Sequence, residues 1–340
     1  MRYRRIACTE LSLSEIGFGC GGNAGLMVRG TAEDQRRIVA RALDLGINYF
    51  DTAPDYGDGA AEENLGRVLK ALSARPIVTS KVEIRQENLG DIAGHVVRST
   101  EASLTRLGIE ALDILQIHNG PTTASLALEG KAYAQLAVDD FLRPGGALDG
   151  LRRVLDAGKV RHVGFICRGD DGDAVRQLLD TGLFALINLP YTLLNPTAGL
   201  AKPAGLTVER DFDRVLDHAR ARGIGAAVYS ALAGGFLTDD AVTGRERHPL
   251  ARAIDPAADK VLRLRRKAES LRFLAHETGL SLAQAAYRFV LSHPGVTTVL
   301  GGFSALDQLE ELAAVSGTEP FAPEVTSRLN ALWRTDFASC

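Results

Sequence analysis

Four polar residues that could together perform acid–base chemistry lie at or just after the ends of successive predicted strands. Asp51, Lys81 and His118 each end a short apolar run, and Tyr56 lies on the loop after Asp51. A tyrosine hydroxyl can protonate a carbonyl oxygen as hydride arrives at the carbon, although its ordinary pKa of about 10 is high for work near neutrality. A nearby ammonium group would lower that pKa, a carboxylate would hold the ammonium, and a histidine would orient the carbonyl.

Each of these residues also has an ordinary structural explanation when it is taken alone. An aspartate before Thr52 is typical of a turn or cap, and a tyrosine beside Gly57 is typical of an exposed loop. A lysine at a strand end is commonly solvated, and a histidine at a barrel rim commonly has local partners. Their joint position favours one shared site, because the carboxyl ends of parallel barrel strands converge on the face where catalysis occurs.

The elements that must position these residues follow a regular alternation of short apolar runs and amphipathic stretches, which indicates βα units and a parallel sheet. An N-terminal β-hairpin over Arg2–Ala7 and Leu11–Leu13 precedes the repeat. The predicted strands are Glu15–Gly19, Asn48–Asp51, Pro76–Lys81, Asp113–His118, His162–Ile166, Ala185–Leu189, Gly225–Tyr229 and Thr297–Leu300. The predicted helices are Thr31–Leu45, Ala61–Leu72, Asn88–Leu107, Leu148–Ala157, Asp173–Asp180, Glu209–Arg222, Ala257–Thr278, Leu282–Ser292 and Leu306–Val315.

An additional C-terminal helix, Pro323–Phe337, carries the only tryptophan, Trp333. We expect this tail to help close the pocket, since it follows the completed set of strands. A long insert spans Asn119–Gly146, but no low-complexity linker divides the chain. The sequence therefore predicts an α/β protein with one domain over residues 1–340, a (β/α)₈ TIM barrel, with a doubly wound sheet as the alternative.

Composition narrows the functional class. The chain has 340 residues, 46% hydrophobic residues and a net charge of −3, so charge gives no reason to expect nucleic-acid or anionic-membrane partners. No apolar run is long enough to span a bilayer, and the first residues, Met1–Arg5, are not apolar, so we expect no signal peptide. The four cysteines are scattered without a Cys-x-x-Cys pair, which is typical of free thiols in a reducing compartment. These features predict a cytoplasmic protein without a metal site.

A family resemblance covers about residues 1 to 315. The segment Gly46–Gly57, with sequence GINYFDTAPDYG, resembles the aldo-keto reductase signature that pairs the catalytic aspartate and tyrosine. Further segments similar to this family are Thr79–Lys81, Asp113–His118, Arg161–Gly164 and Tyr229–Gly235.

The resemblance implies an NAD(P)(H)-dependent oxidoreductase that transfers hydride between nicotinamide and a small carbonyl, alcohol or sugar lactol. It implies that Tyr56 is the general acid in reduction and the base in oxidation. Lys81, held by Asp51, would tune Tyr56, and His118 would orient the substrate oxygen.

The resemblance also implies a set of cofactor contacts: Asn188, Tyr229, Ser230, Leu232, Gly234, Gly302, Ser304 and Gln308. In this set the Tyr229 ring would stack on nicotinamide. Asn188 stands where the family often has a glutamine that binds the nicotinamide amide.

Two positions depart from the family pattern. Ile166-Cys167 replaces the usual Ser-Asn pair that binds the carboxamide, a corner that also varies in the sugar 1-dehydrogenase branch. Around Ser304, members that prefer NADPH usually carry a lysine or arginine, whereas this chain has Asp307, which would disfavour a 2′-phosphate. The arginines at positions 245, 247 and 252 could still reach that phosphate, so the choice between NADP(H) and NAD(H) stays open.

Other functions compete with this prediction. Some barrels of the family resemble channel β-subunits, in which nucleotide binding serves regulation, and this is the alternative class. A metal-dependent barrel hydrolase would need further ligands beside His118. The motif Gly17-x-Gly19-x-x-Gly22 fits a dinucleotide-binding fingerprint, but the predicted helix begins too late for a Rossmann phosphate site.

Overall fold

The computed structural model describes residues 1–124, 135–168, 171–243 and 258–338. Within these ranges the strands are β1 (Tyr3–Arg5), β2 (Ser12–Ser14), β3 (Ile16–Gly19), β4 (Tyr49–Asp51), β5 (Ile77–Val82), β6 (Leu112–Ile117), β7 (Gly120–Thr122), β8 (Gln135–Ala137), β9 (Val160–Ile166), β10 (Leu186–Pro190), β11 (Gly225–Tyr229) and β12 (Thr298–Gly302). Strands β3 to β6 and β9 to β12 close into a parallel eight-stranded barrel in chain order. The predicted (β/α)₈ barrel is therefore confirmed, and the doubly wound alternative is excluded by the closure between β12 and β3.

Helices surround the barrel. They are α1 (Leu26–Arg29), α2 (Ala32–Asp44), α3 (Ala60–Ala71), α4 (Ile92–Leu107), α5 (Val138–Leu142), α6 (Ala147–Asp156), α7 (Gly172–Leu179), α8 (Val215–Ala221), α9 (Asp239–Thr243), α10 (Asp259–Glu269), α11 (Phe273–Thr278), α12 (Leu282–Leu291), α13 (Leu306–Ala313) and α14 (Pro323–Arg334), with 3₁₀ turns at Gln86–Asn88 and Ala233–Gly235. None of the helices in these ranges is long and apolar enough to cross a bilayer.

Local sequence signals set several helix ends. The Thr31 hydroxyl accepts a hydrogen bond from the Asp34 backbone N–H and caps the start of α2. Ser281 and Gln284 form a reciprocal capping box at the start of α12. Gly108 ends α4 with a φ of 65°, a left-handed conformation that favours glycine.

The apolar core has two layers. The larger layer lies between the outer faces of the strands and the helices, as expected for strands that are buried on both sides. The smaller layer fills the barrel interior, where Tyr49, Ile114 and Leu186 pack against Ile6 and Leu13 of the N-terminal hairpin segment. The β1–β2 hairpin, which was predicted from the sequence, thus covers one end of the barrel and leaves the carboxyl ends of the strands for a site.

Two predicted helices depart most from the observed bounds. The helix predicted from Glu209 begins only at Val215, because Asp213 and Arg214 take left-handed backbone angles with φ of 44° and 55°. The long helix predicted to end at Thr278 is divided into α10 and α11. Between them, the N–H groups of Leu271 and Arg272 bond the carbonyls three residues back, which tightens the chain out of the α-helical path.

Candidate active site

A cavity of about 460 Å³ opens at the carboxyl ends of the barrel strands. Asp51 is the last residue of β4, Lys81 is near the end of β5, and His118 follows β6. The cavity wall contains these three side chains together with Tyr56. The structure therefore brings together the four residues that the sequence placed at successive strand ends.

A buried ion pair lies at the base of the cavity. The Lys81 ammonium, on a side chain only 2% exposed, contacts the Asp51 carboxylate and also donates to the Thr52 carbonyl at 2.7 Å. The other Asp51 oxygen accepts a hydrogen bond from Asn188 Nδ2 at 2.9 Å. Since both charges are buried, each depends on the other and on these hydrogen bonds to offset its lost hydration.

Asn188 connects two other polar side chains inside the barrel, Gln116 and Asp51. Its Oδ1 accepts from Gln116 Nε2 at 2.8 Å, while its Nδ2 donates to Asp51. Asn188, which was expected at the nicotinamide amide, thus holds the Asp51 carboxylate in place. Gln116 was not singled out from the sequence, although it lies two residues before His118 and therefore points to the same face of the strand.

Tyr56 borders the cavity next to the ion pair. The Lys81 Nζ lies 5.0 Å from the centroid of its ring. Burial, followed by the negative charge of Asp51, raises the Tyr56 pKa well above its usual value, and the Arg168 cation acts in the opposite direction. The sequence led us to expect that lysine would lower this pKa, but burial and the neighbouring carboxylates outweigh it here, so the hydroxyl keeps its proton and is a donor.

His118 is buried between two charged side chains. Its Nδ1 lies 3.2 Å from Asp55 Oδ1, and its Nε2 lies 3.3 Å from Arg168 Nη2. The His118 and Tyr56 rings meet edge to face with centroids 6.0 Å apart. Burial lowers the pKa of His118 to about 3, so the imidazole is neutral near pH 7.

This lowered pKa predicts a pH dependence of stability. The unfolded chain binds a proton at His118 below about pH 6.5, whereas the folded chain binds it only near pH 3. The free energy of unfolding is therefore highest above pH 6.5 and decreases as the pH falls toward 3. Urea unfolding of the wild type is expected to lose about 1.4 kcal/mol more between pH 7.5 and 5.5 than unfolding of His118→Gln. The exposed His276→Gln variant is the matched control, and equal pH slopes for the wild type and His118→Gln would contradict the assignment.

Arg168 is the wall residue that sequence reasoning missed. It lines the cavity, and its guanidinium carbon lies 5.9 Å from the centroid of the Tyr229 ring. The departure from the Ser-Asn pair lies at Ile166-Cys167, and the Cys167 side chain is buried outside the cavity wall. The sequence could have indicated Arg168 through its two-residue spacing from Ile166, which also lines the cavity, because residues two apart along an extended segment share one face.

The opposite wall presents an aromatic face and a tight backbone loop. Six of the eight residues expected to contact a nucleotide line the cavity: Asn188, Tyr229, Ser230, Leu232, Gly234 and Gly302. Positive φ values at Ser230 (56°), Ala233 (50°) and Gly234 (71°) curl the loop after β11. Backbone N–H groups in a turn of this kind can bind an anion, and unusual φ values at non-glycine residues are typical of functional sites. An aromatic ring beside an anion-binding loop fits a nicotinamide dinucleotide.

Ser304 and Gln308 lie outside the cavity wall. The Gln308 Oε1 accepts from both the Ser304 backbone N–H at 3.0 Å and the Ser304 hydroxyl at 2.9 Å, at the start of α13. Asp307 accepts from the Gln308 backbone N–H at 2.9 Å. Their contact with a cofactor stays a prediction, and the arginines at 245, 247 and 252 fall outside the described residues.

The glycines in and just after β3 allow close packing inside the barrel and border the cavity. A Cβ at Gly17 would come within 2.9 Å of the Tyr49 ring and of Thr298, so this glycine allows close packing inside the barrel. Gly19 and Gly22 line the cavity. The literal dinucleotide fingerprint here belongs to a barrel strand, and the Rossmann alternative is excluded by the closed sheet.

The expectation that the C-terminal tail helps close the pocket does not agree with the lining of the cavity. In the described tail no residue after Gly302 lines the cavity, so α14 does not form its wall. Instead Trp333 is buried, its ring lies 5.8 Å from that of Phe289, and its Nε1 donates to the Leu193 carbonyl at 2.9 Å.

The Trp333 contacts predict an effect on stability and not on substrate choice. The Trp333→Phe variant is expected to lose about 1–3 kcal/mol of unfolding free energy, because the Leu193 carbonyl loses its buried donor and the smaller ring leaves space. Its ratio of kcat/KM between any two substrates should match the wild type. Urea unfolding and steady-state kinetics measure these quantities. A changed ratio of kcat/KM between substrates, with unchanged stability, would show that the tail contributes to the pocket.

Among the described residues no cluster of His, Cys, Asp and Glu side chains could hold a metal ion. The cavity wall holds a neutral histidine, a protonated tyrosine, a buried lysine–carboxylate pair and an arginine. This set can place a proton donor and a positive charge beside a substrate oxygen.

Known proteins resemble this chain over nearly its whole length. A sequence model of the Aldo/keto reductase family matches residues 15–334. L-glyceraldehyde 3-phosphate reductase of Escherichia coli O157:H7 is 27% identical over 97% of this chain and 92% of its own. L-galactose dehydrogenase of Arabidopsis thaliana is 26% identical over 94% of this chain and 89% of its own. Among solved structures, an aldo-keto reductase from Bacillus halodurans in its holo form shares the fold, with a TM-score of 0.72 and 23% identity over 98% of this chain and 97% of that one.

Proposed function

The chain belongs to the aldo/keto reductase family, and from that membership we propose that Asp51, Tyr56, Lys81 and His118 form its catalytic site. It is an NAD(P)(H)-dependent oxidoreductase that acts on carbonyl, alcohol or sugar lactol substrates. The observation that carries the residue assignment is the meeting of these side chains in one cavity at the carboxyl ends of the barrel strands.

The nicotinamide, when bound, supplies hydride to the substrate carbon in reduction and accepts it in oxidation. We assign the Tyr229 ring to stacking against it and Asn188 to its carboxamide. The loop from Ser230 to Gly234 would hold the diphosphate, because its curled backbone gathers N–H donors. Gly302, Ser304 and Gln308 would face the adenosine end.

Tyr56 transfers the proton, and its neighbours assist it. In reduction, the electron pair of the carbonyl π bond moves to the oxygen, which takes the Tyr56 hydroxyl proton and becomes an alcohol. The tyrosinate then regains a proton from water. Lys81, held by Asp51, places a positive charge 5.0 Å from the Tyr56 ring, where it stabilises the transient tyrosinate. His118 lines the cavity beside Tyr56 and would help to position the substrate oxygen.

For the substrate we propose a short aldose, its lactol, or a related hydroxyaldehyde. The wall carries Asn23, Asp55 and Arg168, which suit a molecule with several hydroxyl groups. The two curated relatives named above bear the names of a glyceraldehyde-phosphate reductase and a galactose dehydrogenase. Turnover of a panel of aldoses and aldehydes, followed by nicotinamide absorbance, tests the class, and activity confined to apolar aldehydes would contradict it.

Asp307 provides a prediction on cofactor choice. If it faces the ribose 2′ position, its carboxylate repels a phosphate, so Asp307→Asn is expected to raise the NADPH-to-NADH ratio of kcat/KM by about fivefold, which corresponds to about 1 kcal/mol. The exposed Glu324→Gln variant changes the net charge equally and should leave the ratio unchanged. An unchanged ratio in Asp307→Asn would place the 2′ position elsewhere.

We further propose a cytoplasmic protein with one domain over residues 1–340 and no nucleic-acid partner. Cys8, Cys20 and Cys167 are free thiols, which suits a reducing compartment. A single cooperative unfolding transition would support one domain. The alternative, a nucleotide-binding regulatory module, would be favoured by tight nucleotide binding without turnover.

A further inference from the structure

Asp55, His118 and Arg168 form a row of side chains across the cavity wall. The Asp55 carboxylate faces His118 Nδ1 at 3.2 Å, and the Arg168 guanidinium faces His118 Nε2 at 3.3 Å. The His118 side chain is only 1% exposed, so these neighbours define its surroundings. All three residues line the cavity, as does Tyr56.

The chemistry of the two outer groups fixes the proton on the middle one. An ionised carboxylate only accepts hydrogen bonds, so Nδ1 must carry the hydrogen that faces Asp55. A guanidinium only donates, so Nε2 must be the unprotonated nitrogen that faces Arg168. A second proton on the ring would have to point at the Arg168 cation. The burial that lowers the His118 pKa acts in the same direction, toward a neutral ring.

A histidine in this state cannot donate from Nε2 to a carbonyl oxygen. We propose that Arg168 donates the hydrogen bond to the reacting substrate oxygen, and that Asp55 and His118 are positioning residues that aim its guanidinium. This inference rests on the proposed function. It reassigns the direct contact with the substrate oxygen from His118 to Arg168.

Further contacts suit Arg168 for this role. The guanidinium carries several N–H donors in a planar fork, so it can donate to His118 and present others to the cavity. Its backbone carbonyl accepts a hydrogen bond from Arg210, which anchors this segment of chain. Its positive charge opposes the rise in the Tyr56 pKa, so it acts on the proton donor as well as on an oxygen that becomes negative during hydride transfer.

Kinetics of Arg168 variants on an uncharged aldose or aldehyde, compared with a phosphorylated aldose, test the proposal. Arg168→Gln is expected to lower kcat by about 10²-fold or more, the usual effect of removing one donor to a developing oxyanion. Guanidinium ion added to Arg168→Ala should restore part of the lost kcat, which a purely structural role would not allow. Arg176→Gln, which removes a surface arginine from exposed ion pairs of α7, is the matched control. Loss confined to anionic substrates would overturn the proposal, because Arg168 would then bind a substituent and not the reacting oxygen.

The tautomer is measured independently of activity by ¹⁵N NMR of histidine-labelled protein, with the His118 signals assigned from His118→Gln. The expected spectrum has a protonated Nδ1 and an unprotonated Nε2. Asp55→Asn should keep this tautomer, because the Arg168 guanidinium still faces Nε2 and the asparagine oxygen can still accept a hydrogen bond from Nδ1. A protonated Nε2 in the wild type, or an unchanged kcat in Arg168→Gln, would overturn the inference while Tyr56→Phe still tests the proposed function. No turnover by the wild type with any cofactor and substrate pair would overturn the proposed function itself.

Discussion

Replacing Tyr56 by phenylalanine is expected to lower kcat by about 10²–10⁴-fold, the usual contribution of a positioned general acid. The variant keeps the ring that packs beside His118 and Lys81 and removes only the hydroxyl that donates the proton. Nucleotide binding should be retained, because the aromatic face and the curled loop lie on the other wall of the cavity. Steady-state kinetics and nucleotide titration of the variant measure both quantities.

A matched control for Tyr56→Phe is Tyr3→Phe, which changes an exposed tyrosine at the opposite end of the barrel. It should leave kcat unchanged. If Tyr56→Phe retained the activity of the wild type, another group would have to supply the proton, and the assignment of the catalytic site would be wrong.

Replacing Lys81 by methionine is expected to reduce the unfolding free energy by about 3–5 kcal/mol, because it leaves the Asp51 carboxylate buried without its cation. The variant should also lose activity, since the positive charge near Tyr56 is gone. Urea unfolding and steady-state kinetics measure the two effects separately.

A double variant separates the two roles of the ion pair. In Lys81→Met with Asp51→Asn no charge remains to be buried, and the asparagine can still accept a hydrogen bond from Asn188. Most of the lost stability is therefore expected to return, whereas activity should not. A double variant as unstable as Lys81→Met would show that the stability loss comes from packing and not from the unpaired charge.

Periodicity and strand ends predicted the barrel and the positions of Asp51, Lys81 and His118, because a parallel barrel turns successive strand ends into one surface. The division of the predicted helix between α10 and α11 could not be predicted in the same way. Its sequence keeps a helical pattern, whereas the break consists of hydrogen bonds to carbonyls three residues back at Leu271 and Arg272. The late start of α8 likewise depends on left-handed angles at Asp213 and Arg214, neither of which is a glycine.

Within the site, the sequence pointed to residue types but not to their hydrogen-bond partners. Asn188 was expected at the nicotinamide, yet its contacts with Asp51 and Gln116 depend on a barrel interior in which strands distant in sequence face each other. Arg168 follows a corner that departs from the family pattern, so the resemblance gave no reason to place it. The direction of the Tyr56 pKa depends on burial, which only the folded chain defines.

Transfer of deuterium from labelled cofactor tests the central claim most directly. The wild type would be given an aldose or aldehyde with NADH or NADPH carrying deuterium on one or the other face of C4, and the alcohol product would be weighed by mass spectrometry. The proposed site predicts one deuterium on the product carbon from only one of the two labelled faces, because Tyr229 covers the other. Unlabelled alcohol from both, or no alcohol with either cofactor, would contradict hydride transfer in this cavity.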